Sequence, residues 1–513
     1  MPAFSLEPEQ TAWCAELRTL AAERLRPLAE KGEPGRVNRP LVAELGRLGL
    51  LSRLFTSGAL DLCLMRESLA RACTEAETAL ALQGLGAHPI HAHGTPAQRE
   101  RWLPGVTDGT TVAAFALSEP GAGSDAAALA LRAVPEGGGG SGDEDTGEGP
   151  KWGGAPGSVG TRPRGARPDP GVGGGSGDED NAAVVMGEGL GRGGAPRAVG
   201  ARPRGVRADP RVGGGNSGSG AAAFESRTDQ ERGGAAGTAD SAKGGSASSD
   251  PTGRVGPSGS PLDARPDGPR RWRLTGEKCW ISNAPEADFY TVFARTTSGA
   301  GARGVTAFLV PADRPGLTGA ALEMLSPHPI GSLAFDAVPV TGDDVLGEVD
   351  RGFRVAMGTL NLFRPSVGAF AVGMAQAALD ATLAHTRGRD AFGGKLSDLQ
   401  TVAHQVAEMA LRTDAARLMV YAAATAYDAG SPDVPRRAAM AKLLATETAQ
   451  YVVDKAVQLH GARALRRGHL LEHLYREVRA PRVYEGASEV QRGIIAKELY
   501  AALPATQEHP ETP

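Results

Sequence analysis

The sequence predicts an α+β chain in which a β region is flanked by a helical region on each side. Three observations carry this reading. Residues 1–114 read as helices joined by turns, and apolar stripes of helical period return after about Leu346. Between them, Trp272–Ile281, Asp288–Arg295 and Gly304–Pro311 are short runs rich in Val, Phe, Tyr and Thr, bounded by Gly, Asn or Pro. A low-complexity block at about 135–268 then divides the β region in two.

In the N-terminal region (1–114), Thr95-Pro96-Ala97-Gln98 is a helix start: a Thr cap, Pro at the first helical position, and Gln three residues after the cap. The middle region (115–345) holds the predicted strands. Its interruption is Gly, Ser, Ala, Pro, Arg and Asp, with almost no branched apolar or aromatic residues. Such a segment buries too little apolar surface to offset its conformational entropy, so disorder is expected. It contains an imperfect repeat: GGSGDED at Gly139–Asp145 recurs at Gly174–Asp180, and Gly153–Pro170 recurs in altered form at Gly193–Pro210. Few apolar positions are available to stack a solenoid, so duplication within a tolerated loop is the reading. By the logarithmic closure law, lengthening a loop from roughly 10 to roughly 140 residues costs only about 2 kcal/mol. In the C-terminal region (346–500), Val367, Phe370, Ala371, Met374 and Ala378 form one stripe, and Leu399, Val402, Val406 and Met409 another. Residues 501–513 read as a tail.

Composition narrows the function classes. A chain of 513 residues supports two or three domains, and a formal net charge of -4 gives no reason to expect nucleic acid or an anionic membrane as partner. No run approaches the roughly 18 apolar residues of a membrane span. The start MPAFSLEPEQ has early glutamates and no basic-then-apolar layout, so no secretory signal is expected. Cys14, Cys63, Cys73 and Cys279 lie far apart without a CxxC pair, which argues against zinc or a disulfide framework. A reduced, cytoplasmic protein is the expectation.

Two stretches invite a ligand. Phe115–Asp125 (FALSEPGAGSD) is a strand end running into a Gly-rich turn, which leaves backbone amides and the Ser118 and Ser124 hydroxyls free. In Gly276–Asn283 (GEKCWISN), which reads as a strand, Trp280 and Ser282 at i and i+2 share a face. A slab beside a hydroxyl suits a flat heterocycle. Taken singly, each stretch is also compatible with a plain polar loop and a core Trp.

Together and in this order, these stretches resemble the first signature and the flavin-contacting strand of the acyl-CoA dehydrogenase family. The resemblance continues through Gly94–Pro104, Leu333–Pro365, Arg389-Asp390-Ala391-Phe392-Gly393 with Gln400, Gln458-Leu459-His460-Gly461, and Val483–Arg492. It covers essentially everything outside the low-complexity block. It implies an N-terminal α-helical domain, a middle β-barrel-like domain and a C-terminal four-helix bundle. It further implies FAD as cofactor, with Leu117, Ser118 and Ser124 lining the flavin and Trp280 and Ser282 flanking its ring. Arg389, Phe392, Gln400, Gln458, His460 and Gly461 would take the pyrophosphate and adenine side across a subunit boundary, hence a homodimer or homotetramer. An Arg fork matches paired phosphate oxygens.

By the same resemblance, Glu485 is the base that removes the α-proton of an acyl-CoA or acyl-carrier thioester, with Ser124, Tyr484 and Gly486 on the substrate side. The β-hydride passes to FAD, and electrons leave to an electron-transfer flavoprotein. The chemistry asks for a carboxylate in a site dry enough to raise its pKa. Some relatives place the base just before the Arg equivalent to Arg364, but that position is Phe363 here. Departures from the family are Gly461-Ala462-Arg463-Ala464, where more glycine is usual, Ala487 where Thr is common, and a shortened Leu50–Asp61 segment. The competing readings are a flavin monooxygenase or N-hydroxylase on the same fold, and a non-catalytic FAD-binding scaffold. No metal site is expected.

Overall fold

The computed structural model describes residues 6–136 and 270–503. The insert expected at about 135–268, with its repeat, lies outside the described residues apart from its edges, as does most of the tail.

The N-terminal domain is helical. Helix α1 (Pro8–Leu20) runs through a π turn into the short α2 (Arg26–Ala29) and is followed by α3 (Arg39–Arg47), α4 (Leu50–Thr56), α5 (Ala59–Ala72), α6 (Thr74–His93) and α7 (Pro96–Asp108). The predicted start of α7 is formed as a reciprocal cap: the Gln98 amide donates to Thr95 Oγ1 at 3.2 Å and the Thr95 amide to Gln98 Oε1 at 2.8 Å. The shortened Leu50–Asp61 segment is helical except at Ser57-Gly58. Asp428 closes that joint, accepting from the Ala59 and Leu60 amides at 2.6 and 3.0 Å.

The middle domain is one seven-stranded mixed sheet: β1 (Ala113–Ala116), β2 (Arg132–Pro135), β3 (Arg271–Ser282), β4 (Phe289–Arg295), β5 (Val305–Pro311), β6 (Leu317–Ala321) and β7 (Ile330–Thr341). Strand β4 takes β1 and β2 in parallel and β5 antiparallel, while β2, β3, β7 and β6 continue as antiparallel neighbours. At β4 and β5 both faces are covered. Tyr290, Val292 and Ala294 face a core within the β domain, whereas Phe289 and Phe293 face one shared with Ala87 and Ile90 of α6. That two-sided burial explains why β4 and β5 are apolar almost throughout, whereas β3 and β7 alternate between buried and exposed residues.

The C-terminal domain consists of α8 (Gly352–Gly388), a hairpin of β8 (Asp390–Ala391) and β9 (Gly394–Lys395), then α9 (Gln400–Asp428), α10 (Val434–His460), α11 (Leu470–Glu477) and α12 (Ser488–Ala501). Helix α8 is long and apolar enough to cross a membrane, yet it is the central core helix, packed against α5, α9 and α10. Its predicted stripe from Val367 to Ala378 is fully buried.

Helix α6 meets β1 at Gly86. A Cβ there would lie 2.6 Å from the Ala114 amide nitrogen, and the Gly86 carbonyl accepts from Thr291 Oγ1 at 3.0 Å. Helix propensity alone would make Gly86→Ala stabilising by up to about 1 kcal/mol. Contact with backbone, which cannot swing aside, reverses the sign, and a loss of about 1–3 kcal/mol is expected. Thermal melting of the variant checks this: a raised midpoint would show that α6 can move off the sheet freely.

Candidate active site

Three groups of candidate residues take shape in the structure. The first is where the chain leaves β1. Leu117 is buried and its carbonyl accepts from Lys278 Nζ at 2.9 Å; the Ser118 carbonyl accepts from the Cys279 amide at 3.0 Å. Lys278 is wholly buried and pairs with Glu119 at 2.7 Å, and Glu119 also accepts from the Ala130 and Leu131 amides at 2.5 and 3.0 Å. The Gly-rich turn is thus clamped onto β3, next to Trp280. Burial pulls the Lys278 ammonium down to about 8, against the pull of Glu119. Ser124 stands exposed farther along the turn.

Even alternation does not hold through β3. Trp272, Leu274 and Lys278 point inward, so Trp280 would follow them into the core. A bulge between Lys278 and Ile281 shifts the register, Trp280 adopts φ 57°, and Ile281 is buried in its place. Trp280 is left 48% exposed at the strand end, with Ser282 partly exposed two residues on.

The second group lies at the end of the helical bundle. Arg389 follows α8, its amide donating to the His385 carbonyl at 2.9 Å. Phe392 sits in the β8–β9 turn with φ 54° and is 89% exposed, and Gln400 opens α9 just beyond. His460 ends α10 and stacks on His385 with centroids 4.1 Å apart, and Gly461 follows with φ 65°. This contact brings the Arg389 segment and the Gln458–Gly461 segment together. Arg463 and Arg389 both depress the His385 pKa, after burial, so two guanidinium groups face one patch. The departure from the expected glycine pattern is a short 3-10 turn, Gly461–Leu465, with Ala464 packed inside. Among the described residues, no hydrogen bond, ion pair or aromatic contact joins this group to the first.

The third group is the turn before α12. Glu485 has φ 51° and Gly486 φ 94°, so two successive residues are left-handed. Glu485 is partly buried as a residue, but its Oε2 is shut from solvent and has no hydrogen-bond partner. Burial raises its pKa, opposed in order by Arg66, Lys442 and Arg364. The Glu485 carbonyl accepts from Arg364 Nε at 3.3 Å and Gln491 Nε2 at 3.1 Å; the Gly486 carbonyl accepts from Lys442 Nζ at 2.6 Å and Gln491 Nε2 at 2.9 Å. Arg66 is itself buried, paired with Glu77 on α6 and donating to Ser366 on α8 at 2.6 Å. Phe363 is buried beside Gly84 of α6, where a Cβ would come within 2.8 Å of its ring. Six non-glycine residues have positive φ among the described residues, and three are Trp280, Phe392 and Glu485. Such strain persists only where the surroundings impose it, and functional sites are where it gathers.

Models of the acyl-CoA dehydrogenase N-terminal, middle and C-terminal domains match residues 7–110, 247–338 and 350–500, in the family's order. The chain belongs to the acyl-CoA dehydrogenase family. A probable acyl-CoA dehydrogenase of Mycobacterium tuberculosis is 38% identical over 239 residues, which are 46% of this chain and 61% of that protein. The mitochondrial short-chain specific acyl-CoA dehydrogenase of Bos taurus is 39% identical over 239 residues, 46% of this chain and 58% of the relative. These matches therefore span less than two thirds of each relative's length. The fold is similar to that of butyryl-CoA dehydrogenase from Megasphaera elsdenii, with TM-score 0.67 and 23% identity over 97% of this chain and 99% of the other. It is similar also to a glutaryl-coenzyme A dehydrogenase complex, with TM-score 0.67 and 22% identity over 98% of each chain.

Sequence reasoning passed over Lys278, Glu119, Lys442 and Arg66. Lys278 alone left a trace, since it falls in step with Trp272 and Leu274 on the inward face of the strand. Removing one partner of its ion pair leaves a buried charge. Glu119→Ala is expected to destabilise by about 3–5 kcal/mol, and the Lys278→Met, Glu119→Gln double variant, which removes both charges but keeps an acceptor for the Ala130 and Leu131 amides, by less. Urea unfolding of the three proteins checks this: equal losses in the single and double variants would mean that the pair is not a unit.

Proposed function

We propose that this chain is an FAD-dependent acyl-CoA dehydrogenase in which Glu485 removes the α-proton of an acyl thioester. The observation that carries the reading is the Glu485 carboxylate: shut from solvent and unpartnered at Oε2, raised in pKa, and held in a strained turn. A base for a weak carbon acid needs those properties together, whereas Glu477, which also has a buried oxygen without a partner, bonds His328 through its second oxygen and has its pKa lowered. The Glu485 amide donates to no acceptor among the described residues, which leaves it for the thioester oxygen, where it would stabilise the developing enolate. Tyr484 and Gly486 would frame the acyl group. Phe363, buried against α6, leaves Glu485 without a rival at the other family position for the base.

The residues present fit FAD. Leu117, Ser118, Ser124, Trp280 and Ser282 would hold the ring, with Trp280 turned outward by its bulge for that purpose. Arg389, Phe392, Gln400, Gln458, His460 and Gly461 would take the diphosphate and adenine, which calls for cations and exposed stacking surface such as Phe392 offers. When bound, FAD accepts the β-hydride. The separation of the two groups supports supply of the second by a partner subunit, in a homodimer or homotetramer. An electron-transfer flavoprotein is the proposed acceptor of the electrons.

Three outcomes test this. Arg389→Ala should purify with less FAD than the parent, because the diphosphate loses a charge-assisted partner; undiminished FAD would remove Arg389 from the site. Glu485→Gln should keep FAD yet bleach at least about 10²–10⁴-fold more slowly with any thioester that the parent accepts. Because burial raises the Glu485 pKa, its basic form prevails only above that raised value. Bleaching by the parent should therefore slow as pH falls through it, and stopped-flow absorbance at several pH values records both effects. Near-parental bleaching by the Gln variant contradicts the mechanism.

A further inference from the structure

We infer that Lys442 is a positioning residue for Glu485: its ammonium grips the Gly486 carbonyl and so fixes the turn that aims the carboxylate. This rests on Glu485 being the base. A pair of left-handed residues, one of them glutamate, does not persist on local preference, so the conformation has to be held from outside the turn. Gln491 bonds both carbonyls, but it lies on the first turn of α12 and moves with the segment it would restrain. Arg364 reaches the Glu485 carbonyl only at 3.3 Å. Lys442 is different. It projects from α10, a core helix of the bundle, and its bond to Gly486 is the shortest of the set at 2.6 Å.

Lys442 is also an expensive residue to place there. It is fully buried on a helix that also buries Ala438, Ala439, Ala441 and Ala445, it forms no ion pair among the described residues, and burial pulls its pKa down to about 8. A core position on a helix is ordinarily filled by an apolar side chain. A buried ammonium whose bonded acceptor is the carbonyl next to the catalytic residue indicates two uses, orientation and charge. The ionisable groups that bear on it are Glu485 of the turn, Arg364 of α8, Glu447 of its own helix and Glu489 of α12. Arg66 has the larger opposing effect on Glu485 but bonds no atom of the turn, so it contributes charge without orientation.

The test uses the FAD-loaded parent, Lys442→Met, Lys442→Gln, Lys442→Arg and, in parallel, Glu485→Gln. Three quantities are read: FAD content, amide hydrogen exchange of the peptide covering residues 480–492, and the pH profile of thioester-driven bleaching. With Met, which keeps neither donor nor charge, turn exchange should quicken and bleaching fall roughly 10–100-fold, as expected when a reacting group is misplaced by about an ångström. With Gln, a donor without charge, turn protection should be largely kept. In both, loss of the cation should move the acid limb to higher pH by about one unit, with FAD content unchanged. Arg, keeping donor and charge, should leave the acid limb in place, and it decides the case alone if the other two do not fold. Parental exchange and a parental pH profile in the Met variant, or an Arg variant that behaves as a chargeless one, overturns the proposal. Failure of the underlying reading looks different: Glu485→Gln would bleach at the parental rate while the Lys442 variants still loosened the turn.

Discussion

A carboxylate that is to take a proton from carbon has to be kept from water, and a carboxylate kept from water needs cations near it or it will not ionise. The surroundings of Glu485 meet both demands. Arg66 arrives from α5, Arg364 from α8 and Lys442 from α10, so three helices of two domains converge on one turn. None forms a hydrogen bond to the carboxylate itself, which leaves Oε2 unpartnered. Two of them instead bond backbone carbonyls of Glu485 and Gly486. Charge compensation at a distance, with the carboxylate oxygen left open, is the arrangement a base requires. A direct ion pair would stabilise the carboxylate and blunt its basicity.

The packing of α8 makes this convergence possible. Small residues let neighbours approach it closely: a Cβ at Gly373 would lie 2.4 Å from the Glu67 carbonyl of α5, and one at Gly368 within 2.7 Å of Val420 on α9. The helix is therefore apolar on nearly every side, and its membrane-like composition reflects burial in a bundle. Two of its buried polar residues, Arg364 and Ser366, lie on the stretch that meets the Arg66–Glu77 pair and the Glu485 turn. In the β domain the same economy holds. One buried pair, Lys278 with Glu119, ties the Gly-rich turn to the strand carrying Trp280.

Much of the fold was legible in the sequence. The strand runs, the Thr95 cap and the α8 stripe each rest on a local rule that tertiary structure did not override. The family motifs also marked Glu485, Trp280 and Phe392, the residues now found with left-handed backbone. What could not be read were events requiring two distant segments. The bulge that turns Trp280 outward is set by pairing with β7, so an even alternation across the strand was the wrong ruler for it. Lys442 and Arg66 look like ordinary solvated charges on helices, because nothing local says that α5, α8 and α10 bury them. Asp428 capping α5 from the end of α9 is invisible for the same reason.

The central claim is that Glu485 alone takes the α-proton, and its most direct measurement separates that step from oxidation. With the flavin reduced beforehand, a saturated acyl thioester cannot pass on a hydride, but its α-hydrogens can still exchange with D2O. Mass spectrometry or NMR of the recovered thioester should find deuterium at the α-carbon with the parent and essentially none with Glu485→Gln. Deuterium entering at the parental rate in the Gln variant would show that another group is the base, and would contradict the account.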